Sequence, residues 1–247
     1  MDAEREPLLV VRDLKTYFMQ DEGIVKAVDG VSFEVQPRAT LGIVGESGCG
    51  KSITARSILR IVDRPGRILE GEILFRRPGS NGGAAAVVDL ARLDPNGAEM
   101  RAIRGAEIAL IFQEPMSSFS PVHTIGNQIS EAIMLITHDL GVIAEMATDV
   151  AVMYLGRVVE QAPVDAIFHA PRHPYTRALL RSIPRMRARS RERLAPIAGA
   201  IPHPYDRPTG CPFHPRCTDF MPGKCDREAP PLRRVDDQHA VSCFLYE

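Results

Sequence analysis

The chain lacks any long apolar run. Nothing in it approaches the ~18 residues that a membrane-spanning helix needs, so membrane contact is expected only through a protein partner. It also lacks net charge, at −1 with histidine neutral, so no bulk electrostatic argument points to nucleic acid. Lysine is scarce: Lys15, Lys26, Lys51 and Lys224 are the only lysines among 30 basic residues. The skew to arginine suggests GC-rich coding rather than chemistry. The stretch from Met1 to Pro7 is acidic and polar, unlike a secretory signal, and a cytosolic protein is expected. The remaining composition is ordinary for a globular chain of 247 residues, 45% hydrophobic and 25% charged, enough for one large or two small domains.

Against that background one run stands out, Gly45-Glu46-Ser47-Gly48-Cys49-Gly50-Lys51-Ser52. It fits the P-loop pattern of Gly, four residues, then Gly-Lys-Ser/Thr. The glycines let the backbone turn tightly and aim N–H groups at phosphate oxygens. Lys51 brings a point charge toward the β/γ-phosphates, and the Ser52 hydroxyl suits Mg²⁺. Thr40 to Val44 reads as a buried strand entering the loop, and Ile53 to Ile61 as a helix whose positive dipole end faces the same anion. Strand, glycine-rich loop and helix in this order predict an ATP- and Mg²⁺-binding site.

Other elements follow from pattern. Leu8–Val11, Ile24–Val28 and Val31–Val35 are short and β-branched, with Asp29-Gly30 as a hairpin signal between the last two. Gly71–Phe75, Val87–Leu90 and Glu107–Phe112 read as further strands. Ile125–Ile133 has helical spacing, Met134–Thr137 is of buried-strand type, and Leu140–Ala147 reads as a helix. Val150–Tyr154 and Arg157–Glu160 flank a hairpin at Leu155-Gly156. Beyond Pro163 prolines recur, 181–193 is a basic connector, and four cysteines follow Gly210. A boundary is expected near residue 189.

Longer strings carry a resemblance: AVDGVSFEV (27–35), LGIVGESGCGKS (41–52), GEILF (71–75), FQEPMSSFSPVHTIGNQI (112–129), LITHDLGVIAEMATDVAVMYLGRVVE (135–160), HPYTRALLRSIP (173–184) and GCPFHPRC (210–217). Together they resemble the ATP-binding subunit of bacterial oligopeptide/dipeptide ABC importers. The resemblance implies an α/β fold: a P-loop NTPase (ABC-type) core with an N-terminal antiparallel β-subdomain, a helical subdomain and a Cys-rich C-terminal extension, divided as 1–188 and 189–247. It also implies ATP hydrolysis driving peptide import at the cytoplasmic face of the bacterial inner membrane. The implied partners are a second ATPase subunit, permease subunits and, indirectly, a peptide-binding protein. Residue by residue, Gln113 matches the Q-loop glutamine that contacts Mg²⁺, and His138 the switch histidine that reaches the γ-phosphate. Phe18 matches the aromatic that stacks on adenine, with Tyr17 as the alternative and simple packing as the competing role.

The family pattern is incomplete here. Between Gln113 and His138 lie 24 residues. None reads like the LSGGQ-type signature, and no apolar run ends in Asp-Glu as the Walker B strand does. From Gly126 to Gly141 no Gly or Pro intervenes, so Ile125–Ile133 runs into Met134–Thr137 without the stop a helix usually has before a strand. A junction at 133–134 with several tens of residues absent is inferred, leaving the helical subdomain truncated. Loss of the catalytic Glu and its Mg²⁺-holding Asp predicts phosphate binding with poor hydrolysis. It also predicts a weakened core, by on the order of 6–15 kcal/mol, unless Met134–Thr137 re-pairs with 108–112.

Cys211, Cys217, Cys225 and Cys243 are spaced C-x5-C-x7-C-x17-C. Four cysteines in a cytosolic chain suggest metal rather than disulfides. The spacing lacks the tight C-x2-C of most zinc sites, and some relatives bind a 4Fe-4S cluster in this tail. The cluster is the preferred reading, with Zn²⁺ and free thiols open. Nearby His203, His214 and His239 read as solvated loop residues.

Overall fold

The computed structural model describes residues 6–77, 86–110, 135–136, 140–182 and 197–247. Two sheets organise it. The first is antiparallel, in the order β2-β1-β4-β5, built from β1 (Leu9–Gln20), β2 (Gly23–Val35), β4 (Gly66–Arg77) and β5 (Ala86–Asp89). The second has the order β6-β3-β7-β8-β10-β9, with β3 (Leu41–Val44), β6 (Leu135–Ile136), β7 (Asp149–Tyr154), β8 (Arg157–Pro163), β9 (Arg233–Arg234) and β10 (Ala240–Val241). Among the described strands, only β6, β3 and β7 run parallel to one another. This is the mixed α/β architecture with an N-terminal antiparallel sheet that the strings led us to expect.

The first strands are longer than their apolar cores. Leu9 to Gln20 and Gly23 to Val35 form one hairpin, and the Asp29-Gly30 pair is not its turn. The register steps from Leu14↔Val31 to Lys15↔Asp29, leaving Gly30 unpaired at φ +79°. A β-bulge with glycine at positive φ carries the same sequence mark as a tight turn. The expected strand over 107–112 is corrected over 107–110, where Ile108 makes one isolated bridge to Arg104 and 109–110 are irregular. Leu135-Ile136 pairs with Gly42 and Ile43 of the P-loop strand, and residues 111–112, with which re-pairing was expected in part, lie outside the described residues. Residues 125–133 and the expected domain boundary at 188/189 lie outside the described residues.

The Leu155-Gly156 hairpin is present, with φ +44° and +77° as a type I′ turn requires. Its tip bridges the P-loop and β2: Gly156 N–H donates to Cys49 O at 2.9 Å, and Asp29 N–H to Gly156 O at 2.8 Å.

Two apolar cores result. One joins β1, β2 and β4 to the P-loop strand and α1 (Lys51–Ile58), through Leu14, Val31, Ile43 and Ile58 among others. The other lies on the far side of β7 and β8 and takes in the tail. Tyr154, Tyr175 and Phe213 fill its centre, with ring centroids 4.7 and 5.3 Å from Tyr154. Tyr175 stands on a helix sequence pattern did not single out, Pro174–Arg181, capped by His173 Nδ1 accepting from Tyr175 N–H at 3.0 Å. The strings HPYTRALL and GCPFHPRC thus meet in one aromatic cluster.

The tail also extends the sheet. Val241 pairs with Glu160 and Ala240 with Gln161. Glu160 is fully buried, and its carboxylate accepts from Arg172 N–H at 2.6 Å and His173 N–H at 3.0 Å, and meets His239 Nε2 at 2.6 Å. His239 is therefore a buried anchor and not a solvated loop residue, because a buried carboxylate demands partners. His214 stacks on Phe220 with ring centroids 5.5 Å apart.

Candidate nucleotide site

The phosphate loop grows out of buried β3, which leaves Gly45 to Gly50 at the carboxyl end of the strand. Sterics dictate the glycines at two points. A Cβ on Gly45 would meet Met153 O at 2.2 Å, and one on Gly50 would meet Ala27 O at 2.3 Å, with φ at +151° and +105°. No L side chain fits either position. Gly50 caps α1, and its carbonyl accepts from Thr54 N–H at 2.9 Å and Thr54 Oγ1 at 3.0 Å.

Lys51 arches back over the loop. Its ammonium donates to Gly45 O at 2.7 Å and Glu46 O at 3.0 Å, and the side chain is buried. Ser47, Gly48 and Ser52 are exposed around it. An ammonium fixed by two loop carbonyls beside open backbone and an exposed hydroxyl has the donor chemistry that a polyphosphate with a hard divalent cation requires. Cys49 is buried beneath the loop with its thiol 3.5 Å from Lys51 Nζ, and burial raises its pKa. It is a packing residue.

Of the two aromatics near the expected adenine position, Tyr17 donates to Asp29 Oδ1 at 2.6 Å. The half-buried ring of Phe18 lies on Gly66, so close that a Cβ on Gly66 would meet Phe18 Cε1 at 2.7 Å. Asp29 also binds Arg157 at 2.9 Å and Arg207 at 2.8 Å. Burial alone would raise its pKa, but the Tyr17 hydroxyl and the two guanidinium groups together hold it below the ordinary carboxylate value. Gln113 and His138 lie outside the described residues.

The four tail cysteines converge. Cys211, Cys217, Cys225 and Cys243 line one cavity with Phe213 and Phe244, and all five thiols of the chain are unbridged. Burial pushes the Cys211 thiol up to about 11, with the neighbouring thiols adding to the rise. As placed, no group of three or more His, Cys, Asp or Glu among the described residues is arranged to hold a metal ion.

Sequence reading missed Arg207, Arg216, Tyr154 and Tyr175, all of which reach the loop or its surroundings. The only signal for Tyr175 and Arg216 was their place in the two strings of the resemblance.

Comparison with known proteins fits this geometry. The ABC transporter family profile matches residues 28–169, and the profile for the oligopeptide/dipeptide transporter C-terminal region matches 159–225. The chain belongs to the ABC transporter ATP-binding family. Among its relatives, a probable peptide ABC transporter ATP-binding protein of Sinorhizobium fredii is 34% identical, over 96% of this chain and 94% of that one. The dipeptide transport ATP-binding protein of Escherichia coli is 32% identical over 96% of each. The first alignment runs over 329 positions, more than the 247 residues present here. Among solved structures, the ADP conformation of an ATP-binding cassette aligns at TM-score 0.47 and 14% identity, covering 67% of this chain and 96% of that one. Among the described residues no helix is long and apolar enough to cross a membrane.

Proposed function

We propose that this chain is the ATP-binding subunit of a peptide ABC importer, docked on permease subunits at the cytoplasmic face of the membrane and paired with a second ATPase subunit. The observation that carries the reading is the cradle of Gly45 to Ser52, with Lys51 fixed over it. Both the C-terminal profile and the relatives' names, peptide and dipeptide transport, favour peptides as cargo. Gln113 and His138 are assigned their Q-loop and switch roles by their strings. Calorimetry with Mg-ATP tests the cradle: binding is expected, and Lys51→Ala should weaken it about 100-fold through loss of a charge-assisted contact. A flat trace on folded wild-type protein overturns the reading.

A second reading, a binding-competent but hydrolysis-deficient subunit, is favoured by the 24 residues between Gln113 and His138. The excess length of the alignment supports it. A phosphate-release assay with the partner ATPase separates the two. Turnover like that of an intact importer removes the second reading.

The four cysteines suit a thiolate metal site. Their lining of one cavity supports it, for a 4Fe-4S cluster or, alternatively, Zn²⁺. Such a group would staple a tail poor in regular structure. Anaerobic purification with metal analysis and a visible spectrum decides between iron, zinc and free thiols.

A further inference from the structure

The tail reaches the phosphate loop itself. Arg216 closes the short turn His214–Arg216, one residue before Cys217. Its guanidinium lies on the carboxylate of Glu46, the second residue of the loop, with Nη1 to Oε2 at 2.8 Å and Nη2 to Oε1 at 3.2 Å. Two further donors are used: Nε reaches Ala198 O at 3.0 Å, and Nη1 also reaches Tyr154 Oη at 3.3 Å. The Arg216 side chain is 3% exposed. Burial alone would lower its pKa, yet the bonds to Glu46 and Tyr154 raise it, so the charge is permanent.

Glu46 is gripped at a second point. Its backbone N–H donates to Tyr175 Oη at 2.9 Å, and Tyr175 is buried in the aromatic cluster. Its carbonyl is one of the two that hold the Lys51 ammonium. One residue therefore carries the tail's grip on one side and the phosphate-binding lysine on the other. Its carboxylate, left free, would set a negative charge beside an incoming triphosphate. A bidentate guanidinium both cancels that charge and fixes its direction.

We propose that Arg216 is a positioning residue for the phosphate loop. It neutralises Glu46 and, with Tyr175, holds the loop in the shape that nucleotide meets. The inference rests on the reading of 45–52 as the triphosphate cradle. It makes the C-terminal tail a working part of the nucleotide site and not an appendage to it.

The test is a cycle on the full chain: wild type, Arg216→Ala, Glu46→Gln and the double variant. Mg-ATP affinity is read by calorimetry, and amide hydrogen exchange over 45–51 is read without nucleotide. Arg216→Ala should weaken ATP binding about 10-fold, within the usual range of coupling between sites, and speed exchange at Glu46 to Lys51. Adding Glu46→Gln to it should restore most of the affinity, since the uncompensated carboxylate is gone, an effect that loss of packing alone would not give. Arg216→Lys, which keeps the charge and loses the fork, should fall between, and serves as the readable variant if Arg216→Ala does not fold. Arg216 variants that melt like wild type, bind ATP within twofold of it and leave exchange unchanged overturn the proposal. If wild-type protein binds no ATP, the cradle reading fails by itself. The positioning claim is then decided by exchange alone.

Discussion

The phosphate loop and the cysteine tail are held in place by opposite means. The loop takes its backbone shape chiefly from its own neighbours in sequence, a buried strand, two tightly crowded glycines and a helix whose first residue folds back on the loop's carbonyls, with Tyr175 and Arg216 gripping Glu46 from afar. The tail has almost no regular structure of its own. It owes its place to contacts made far away in sequence, Phe213 on Tyr154 and Tyr175, His239 on Glu160, Arg207 on Asp29 and Arg216 on Glu46. Local backbone geometry specifies a site that can be recognised in eight residues. A segment poor in apolar residues instead borrows a surface from the rest of the chain, or needs a metal staple as well.

The largest effect should come from removing the tail's apolar anchor. Phe213 is 2% exposed at the centre of the aromatic cluster. Phe213→Ala is expected to cost about 3–5 kcal/mol and to expose the tail to protease before the rest of the chain. The contrast predicts an uneven outcome: limited proteolysis should trim the region beyond residue 197 while the strand, loop and helix around Lys51 persist and keep residual, weakened ATP binding. If loop and tail are cut together at the same rate, the two regions are one cooperative unit and the contrast fails.

The same contrast explains what the sequence could reveal. The loop, the hairpin at Leu155-Gly156 and the helix at Leu140–Met146 were legible because short-range rules settle them. Asp29-Gly30 misled because a bulge and a turn both ask for glycine at positive φ. The stretch 107–110 misled because an apolar run becomes a strand only where a partner edge waits. The buried state of His239 could not be read at all: it depends on a carboxylate 79 residues away in sequence, placed beside it by β8 pairing with β10. Arg216 carried no local mark distinguishing it from the other arginines of the tail.

Asp29 lies where the regions touch, and it gives a middling, pH-dependent effect. Its carboxylate binds Tyr17 from the first sheet, Arg157 from the hairpin and Arg207 from the tail. Asp29→Asn is expected to cost about 2 kcal/mol at neutral pH, less than the roughly 3–5 kcal/mol of a fully buried pair because solvent reaches Arg157. Its folded pKa is depressed below the reference 3.8, so the stabilisation is present above that value and is lost as pH falls through the folded pKa. The urea-midpoint gap between wild type and variant should stay constant from about pH 8 to pH 5 and shrink below about pH 4. A gap that instead closes between pH 6 and 8 would implicate some other titrating group.

The smallest effects separate Tyr17 from Phe18, neighbours on β1 with different partners. Tyr17→Phe keeps the ring and removes a hydroxyl bonded to Asp29, so it should cost about 1 kcal/mol of stability and leave ATP affinity unchanged. Phe18→Ala removes the ring resting on Gly66. If that ring also receives adenine, ATP affinity should fall about 5-fold, the scale of one aromatic contact, while affinity for inorganic tripolyphosphate stays as in wild type. Equal losses for both ligands would assign Phe18 to packing beside α1. Loss of ATP affinity in a Tyr17→Ala variant but not in Phe18→Ala would move the adenine contact one residue back along the strand. If the proposed cradle of backbone N–H groups and Lys51 holds the phosphates, neither aromatic should alter it. The tripolyphosphate measurement therefore reads base recognition apart from phosphate binding.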